Sequence, residues 1–228
     1  MTQPFHLDSS GAYRVPAFLE FPWLEHGFGT RAATSWPDPS RLALLKQIHS
    51  TTVIEAKSPG WLGQGDALTT NVPGLLTGIR TADCVPILLV DSRNRAVAAV
   101  HAGWRGTAGR IAAATAAEMG RLFGTSPTDL HAAIGPAIGE CCYEVGPEVA
   151  RRFAPWWPAL ESIDRPAHLD LVETNRRQLQ EAGIPRERIF TGAVCTCCTG
   201  TLHSFRRDKD AAGRMISAIG IRLSETAP

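Results

Sequence analysis

The sequence predicts an α+β fold, a mixed sheet flanked by helices, in a single domain spanning residues 1–228. Three observations lead there. Short apolar or β-branched runs bounded by turn residues dominate the first half, two later segments change to a helical period, and no repeat or low-complexity linker divides the chain. A chain of this length buries a large core without cross-links.

Strands are expected at "TTVIEA" (51–56), "LLTGI" (75–79), "VPILLV" (85–90) and "AVAAVH" (96–101). From 107 to 123, "TAGRIAAATAAEMGRLF" spaces Ile111, Thr115, Met119 and Leu122 at three or four, which predicts an amphipathic helix with Thr107 as its N-cap. "LHAAIG" (130–135) reads as a strand, and "VGPEVARRFAPWW" as a short helix that ends against Pro155 and Pro158. A second helix follows at 169–183, stopped by Gly183 and Pro185. "RIFTGAV" (188–194) predicts a further strand, and "AAGRMISAIGIRL" (211–223) a helical turn passing into a final strand.

Hydrophobic residues at 44%, charged residues at 20% and a net charge of +1 describe an ordinary globular protein, with nothing that asks for nucleic acid or a membrane. The segment "MTQPFHLDSSGAYRVPAF" lacks a basic patch followed by an apolar core and cleavage site, and no apolar run approaches a bilayer span, so a cytoplasmic protein is expected. A chain with a core of its own is expected to work as a monomer. The six cysteines cluster as Cys84, then Cys141 and Cys142, then Cys195, Cys197 and Cys198. Without a secretory signal, that pattern favours metal binding, reactive thiols or packing over a disulfide framework.

The polar turn Asp91 to Arg95 closes a hairpin. If Val90 pairs near Ala96, equal steps outward put Cys84 opposite Ala102, within one residue of His101. Opposed residues stand about 4.5–5.5 Å apart, within reach of a thiolate–imidazole hydrogen bond or a shared metal. A buried cysteine and a strand-end histidine satisfied by a carbonyl would give the same pattern. "HAGWRGTAGR" then leads a glycine-rich turn into a helix start, where N–H groups and the dipole favour an anion and Arg105 adds a bidentate donor. His49, with Gln47 two residues before it on the same face, would complete a His–Cys–His set. Such a set suits zinc and leaves a fourth position open.

"LLKQIHS", "GDALTT", "RTADCVPILLVD", "AAVHAGWRGT", "AIGPAIGECCYEVGPEV", "DLVETNRRQL" and "FRRDKDAAGRM" resemble, in order, the blocks of the YfiH-like proteins, also called the laccase-domain or polyphenol oxidase family. The resemblance runs from about Phe21 to Ile221. It implies a mixed α/β sandwich, similar also to bacterial toxin deamidases with a catalytic Cys–His pair. It further implies a cytoplasmic enzyme that cleaves adenosine, inosine and methylthioadenosine with phosphate and deaminates adenosine. The family's zinc ligands fall on His49, Cys84 and His101, which are also the catalytic candidates; copper is the alternative metal. Gln47, Arg80, Trp104, Arg105, Arg206 and Arg207 are the substrate-binding candidates for purine nucleosides and phosphate. Asp83 is an acid–base candidate, although strand alternation would turn it to the other face.

Three other readings stay open. Cys84 attacks and His101 acts as base in a cysteine hydrolase; copper oxidises phenols, against which stand seven dispersed histidines without a His-x-His pair; or zinc stabilises a binding protein without turnover. Cys195-x-x-Cys198, with His203, could make a second metal site or a redox pair, but no partner pair with zinc-finger spacing lies elsewhere, and packing near the site wall is the preferred reading. Cys141 and Cys142, as strand neighbours, should point apart and so not share one ion. Trp23, Trp61, Trp156 and Trp157 are expected to pack, and His26, His131 and His168 to be structural or surface residues.

Overall fold

The computed structural model describes residues 5–223, so the expected domain limits, 1 and 228, and the first four residues of the N-terminal segment read above lie outside the described residues. Strands and helices are numbered in chain order. One sheet holds β1 (His6–Leu7), β2 (Ala12–Arg14), β3 (Leu24–Gly29), β15 (Met215–Ile221), β8 (Leu76–Thr81), β4 (Leu42–Lys46) and β6 (Gly60–Gln64), in that spatial order. The other runs β14 (Ile189–Thr191), β11 (Leu130–Ile134), β9 (Val85–Asp91), β10 (Ala96–Ala102), β7 (Ala67–Thr70) and β5 (Val53–Glu55). A separate pair joins β12 (Glu144–Val145) to β13 (Ala167–His168). The helices are α1 (Trp104–Ala108), α2 (Ile111–Phe123), α3 (Pro147–Ala150), α4 (Leu171–Glu181) and α5 (Phe205–Asp208). Among the described residues, no helix is long and apolar enough to cross a membrane.

The two sheets stack face to face, and the central strands β9 and β10 explain why. Every residue of both is buried, so both of their faces need an apolar partner. Leu88, Val90, Val97 and Ala99 meet Phe28, Ile79 and Ile219 of the other sheet. Ile87, Leu89, Ala98 and Val100 take the opposite face, against Ile111, Met119, Leu171 and Leu179 of α2 and α4. Each such fully buried Leu or Ile contributes about 1.5–3 kcal/mol of transfer free energy. The result is a mixed α/β sandwich, since β9 pairs antiparallel with β10 and β11 while β11 runs parallel to β14 and β5 to β7.

The helix expected over 107–123 is two helices. Thr107 lies inside α1 instead of capping it, Arg110 is left-handed (φ 62°), and α2 begins at Ile111. Two buried polar residues of α4 hold the break open: Gln178 donates to the Thr107 carbonyl (2.8 Å) and Asn175 to its hydroxyl (3.0 Å). β3 was not expected, because its sequence "LEHGFG" carries two glycines and a histidine.

That histidine, His26, is structural, as expected: it is 2% exposed and its Nε2 accepts the Val15 amide at 2.9 Å. Burial, with the Arg14 charge nearby, pushes its pKa down to about 3. The unfolded chain, with an ordinary value near 6.5, therefore takes up the proton first as pH falls. The stability due to neutral His26 is present above about pH 6.5 and is lost toward pH 3, at up to about 1.4 kcal/mol per pH unit. Between pH 6.5 and 5 the wild type should lose about 2 kcal/mol more than His26→Gln, which keeps an acceptor for Val15 but does not titrate. Urea midpoints at the two pH values measure it; equal losses would refute it.

Candidate active site

The hairpin register differs by one step from the sequence expectation. Asp91 pairs with Ala96 and Ala102 with Val85, because Asp91 Oδ1 accepts the Arg93 and Asn94 amides (both 2.9 Å) and draws the turn into residues 92–95. Cys84 consequently sits in the bend just before β9, and His101 lies opposite Pro86. The sulfur still reaches the histidines, because Asp83 adopts a left-handed backbone (φ 91°) that turns the chain at this point. His49 is also left-handed (φ 60°). Non-glycine residues held there carry strain that the surroundings must offset.

Asp66, fully buried at the start of β7, supplies that support. Its Oδ1 accepts the His49 amide (3.0 Å) and His101 Nδ1 (2.8 Å); its Oδ2 accepts the Ser50 amide (2.6 Å) and hydroxyl (2.8 Å). Burial alone would raise this carboxyl, but the bonds from His101 and Ser50 bring it down to about 2. An ionised Asp66 can only accept, so Nδ1 of His101 always carries a proton and Nε2 is the nitrogen that faces the cluster. One donor atom each from His49, Cys84 and His101 falls within 4.8 Å of the others, and the two imidazole rings are 4.9 Å apart. Burial pushes the Cys84 thiol up, yet hydrogen bonds to His101 and His49 outweigh it and lower it to about 6. Burial lowers His101, but Asp66 and Cys84 raise it to about 9. A Cβ on Gly103 would stand 2.9 Å from His49 Cδ2 and 3.1 Å from Cys84 Sγ, so only glycine lets the backbone pass beneath the trio.

The trio lies in the wall of a cleft of about 970 Å³. Trp61, Trp104, Tyr143 and Phe205 supply aromatic surface, and Lys46, Arg80, Arg206, Lys209 and Arg214 supply positive charge. The single carboxylate in the lining, Asp83, is already engaged: Thr196 Oγ1 and the Arg206 amide each donate to it at 2.6 Å. The Gln47 side chain both donates to the Arg80 carbonyl and accepts the Arg80 amide (2.8 Å each), fixing that arginine's backbone at the rim.

Residues 30–222 match the family described as multi-copper polyphenol oxidoreductase laccase. The chain belongs to this family. Within the laccase family it is similar to a protein named purine nucleoside phosphorylase from Deinococcus radiodurans, 41% identical over 188 residues that cover 80% of this chain and 71% of that one. It is similar also to one named adenosine deaminase RL5 from an unknown prokaryotic organism, 43% identical over 161 residues, covering 68% of this chain and 61% of that one. The solved structure of Bacillus licheniformis hypothetical protein YfiH superposes with a TM-score of 0.87 at 28% identity, covering 96% of this chain and all of that one.

Of the residues singled out from sequence, His49, Cys84, His101, Gln47, Arg80, Trp104 and Arg206 line this laccase-family cleft. Two others do not. Arg105 is exposed and stacks on Trp104, 4.3 Å from the ring centroid, and α1, at five residues, is too short to form the anion-binding helix start that was expected. Arg207 spends its guanidinium on the carbonyls of Thr196, Cys197, Thr199 and Leu202 and on Asp208. Trp61, expected to pack, is 62% exposed on the edge strand β6. Trp104 both lines the cleft and packs on the core beneath α2. Asp66, Tyr143, Lys46, Lys209 and Arg214 escaped notice. Asp66 had a signal in "GDALTT", an acid placed directly before an apolar strand.

Proposed function

We propose that this chain is a purine nucleoside phosphorylase with adenosine deaminase activity, dependent on a metal held by His49, Cys84 and His101. The observation that carries the reading is the position of this trio in a cleft with cationic and aromatic walls. A deprotonated cysteine and two imidazoles, one oriented by a carboxylate, form a donor set that fits zinc, with copper as the alternative. When bound there, zinc supplies Lewis acidity at an open coordination position.

The chain's own residues do the rest. Lys46, Arg80, Lys209 and Arg214 draw phosphate into the cleft and orient it toward the ribose, and Arg206, tied to the Cys142 and Glu144 carbonyls, keeps its charge fixed at the wall. Phosphate oxygen bonds to C1′ as the bond from C1′ to the purine nitrogen breaks, and the base leaves with its electron pair. Trp61, Trp104 and Tyr143 offer flat apolar surfaces to the purine. Asp83 braces the wall and is not assigned the proton transfer. The reading keeps the cytoplasmic setting and monomeric working unit expected from the sequence.

Purified zinc-loaded protein incubated with adenosine and phosphate should yield adenine and ribose 1-phosphate, and inosine from the same nucleoside. Chelation should stop both reactions and zinc should restore them; no turnover by the loaded protein would refute the proposal. A second reading is favoured by the Asp66–His101–Cys84 chain, which has the order of an acid, a base and a nucleophile. A cysteine hydrolase of this kind would stay active after chelation and be alkylated readily at Cys84.

A further inference from the structure

Four of the remaining cysteines converge on the far side of the cleft wall. Cys141 and Cys142 do not point apart as strand neighbours would, because they lie in a tight 3-10 turn, Glu140–Cys142, in which the Cys142 amide donates to the Gly139 carbonyl (3.0 Å). Facing them is the Cys195-x-x-Cys198 loop, closed by a bond from the Thr199 amide to the Cys195 carbonyl (3.1 Å). The backbone joins the two arms: the Ala137 amide donates to Val194 (3.2 Å), and the Thr196 amide to Ala137 (2.9 Å).

The four Sγ atoms lie within 4.8 Å of one another. Cys141 to Cys142 is 3.7 Å, Cys141 to Cys198 is 3.7 Å, and Cys142 to Cys198 is 3.4 Å. A tetrahedron with zinc–sulfur bonds of about 2.3 Å has edges of about 3.8 Å. The Gly139 amide donates to Cys195 Sγ (3.2 Å), a bond that favours the sulfur as a thiolate acceptor. Gly139 also makes room, since a Cβ there would stand 3.3 Å from both Cys141 Sγ and Cys195 Cβ.

We propose that Cys141, Cys142, Cys195 and Cys198 form a second metal site, a closed tetrathiolate that takes a structural zinc ion. Binding makes four zinc–sulfur bonds and releases a proton from each thiol that carries one; no electron moves. Four protein ligands leave no open position, so this site does no chemistry on substrate. Its ligands are separate from His49, Cys84 and His101. Its effect is mechanical: the two arms carry Ile138 and Tyr143, which line the cleft, and Thr196, which donates to Asp83 beside Cys84. Zinc would fasten these arms together.

Metal analysis separates the two sites. Wild-type protein refolded or exchanged into zinc should carry two equivalents, and Cys84→Ala and Cys142→Ser should each lose one of them. Cobalt in place of zinc should give an intense thiolate charge-transfer band that survives Cys84→Ala and disappears in Cys142→Ser. Because Cys142→Ser could fail to fold, thiol labelling of the intact wild type provides a second measurement. Zinc should slow alkylation of Cys141, Cys142, Cys195 and Cys198 at least tenfold, and chelation should reverse the protection. Three results would overturn the site: no zinc on Cys84→Ala, equal labelling with and without zinc, or recovery of these cysteines as disulfides from protein handled without oxidant.

Discussion

Cys84→Ala should lower nucleoside phosphorolysis and deamination by more than about 100-fold, beyond the 10–100-fold range seen when only the support of a metal ligand is lost. The reason lies in what each of the three groups contributes. The imidazoles of His49 and His101 can ligate only without a net charge, whereas Cys84 brings the negative charge, and the same bonds from His101 and His49 that lower its pKa keep it in the thiolate form. Alanine removes the charge and leaves two imidazoles with no anion between them. The fold should be spared, since the side chain lost is small and the bend at Asp83 is held by separate bonds to Thr196 and Arg206. Turnover and bound metal measured together on the variant distinguish the two readings: joint loss supports a ligand, whereas lost turnover with full metal supports a nucleophile.

Asp66→Asn should affect both stability and activity. Each Asp66 oxygen faces donors only: the His49 amide and His101 on one side, and the Ser50 amide and hydroxyl with the Ile48 amide (3.3 Å) on the other. An amide must point its own N–H group at one of those sets, and His101 Nδ1, the buried donor among them, has no solvent to turn to. The expected cost is about 2–3 kcal/mol in the denaturant midpoint, the range for a lost hydrogen bond to a charged group. Activity at permissive temperature should fall about 10–100-fold, because His101 loses the carboxylate that fixes its proton on Nδ1. Asp66→Glu, which keeps the charge but not the reach, should recover neither. Unchanged melting and unchanged turnover in Asp66→Asn would show that the carboxylate supports nothing.

Local pattern read the central hairpin well and the rest of the sandwich less well. β9 and β10 announce themselves because their buried residues include unbroken apolar runs, six residues from Val85 to Val90 and five from Ala96 to Val100. The β3, β4, β6 and β7 strands are quieter: β3 mixes glycine and histidine, and β6 is exposed along most of its length. Only the resemblance to a known family suggested two stacked sheets. At the site, Cys84 and His101 were legible as donors brought together by a hairpin, with His49 added from outside it as a third. Asp66 was not, since an acid that accepts from five groups and one that faces water are spelled the same way. Arg105 and Arg207 lie off the cleft lining for the converse reason: their charge is visible in sequence, but the Trp104 face and the backbone carbonyls that occupy them are not.

The trio also reports on the history of the chain. His49, Cys84 and His101 are separated by 35 and 17 residues in sequence (84 − 49 and 101 − 84) and stand on three different stretches of backbone, with Asp66 on a fourth. His49 comes from the loop that follows β4 of one sheet, whereas Cys84 precedes, and His101 lies in, the hairpin of the other. Such distant pairings close late in folding, because their loop entropy is lost before their contacts are gained. No single hairpin or sheet contains the whole ligand set. A metal taken up as proposed by this trio would act as a timer, captured only once both sheets have met, and its rate of uptake in a refolding experiment would measure the last step of assembly.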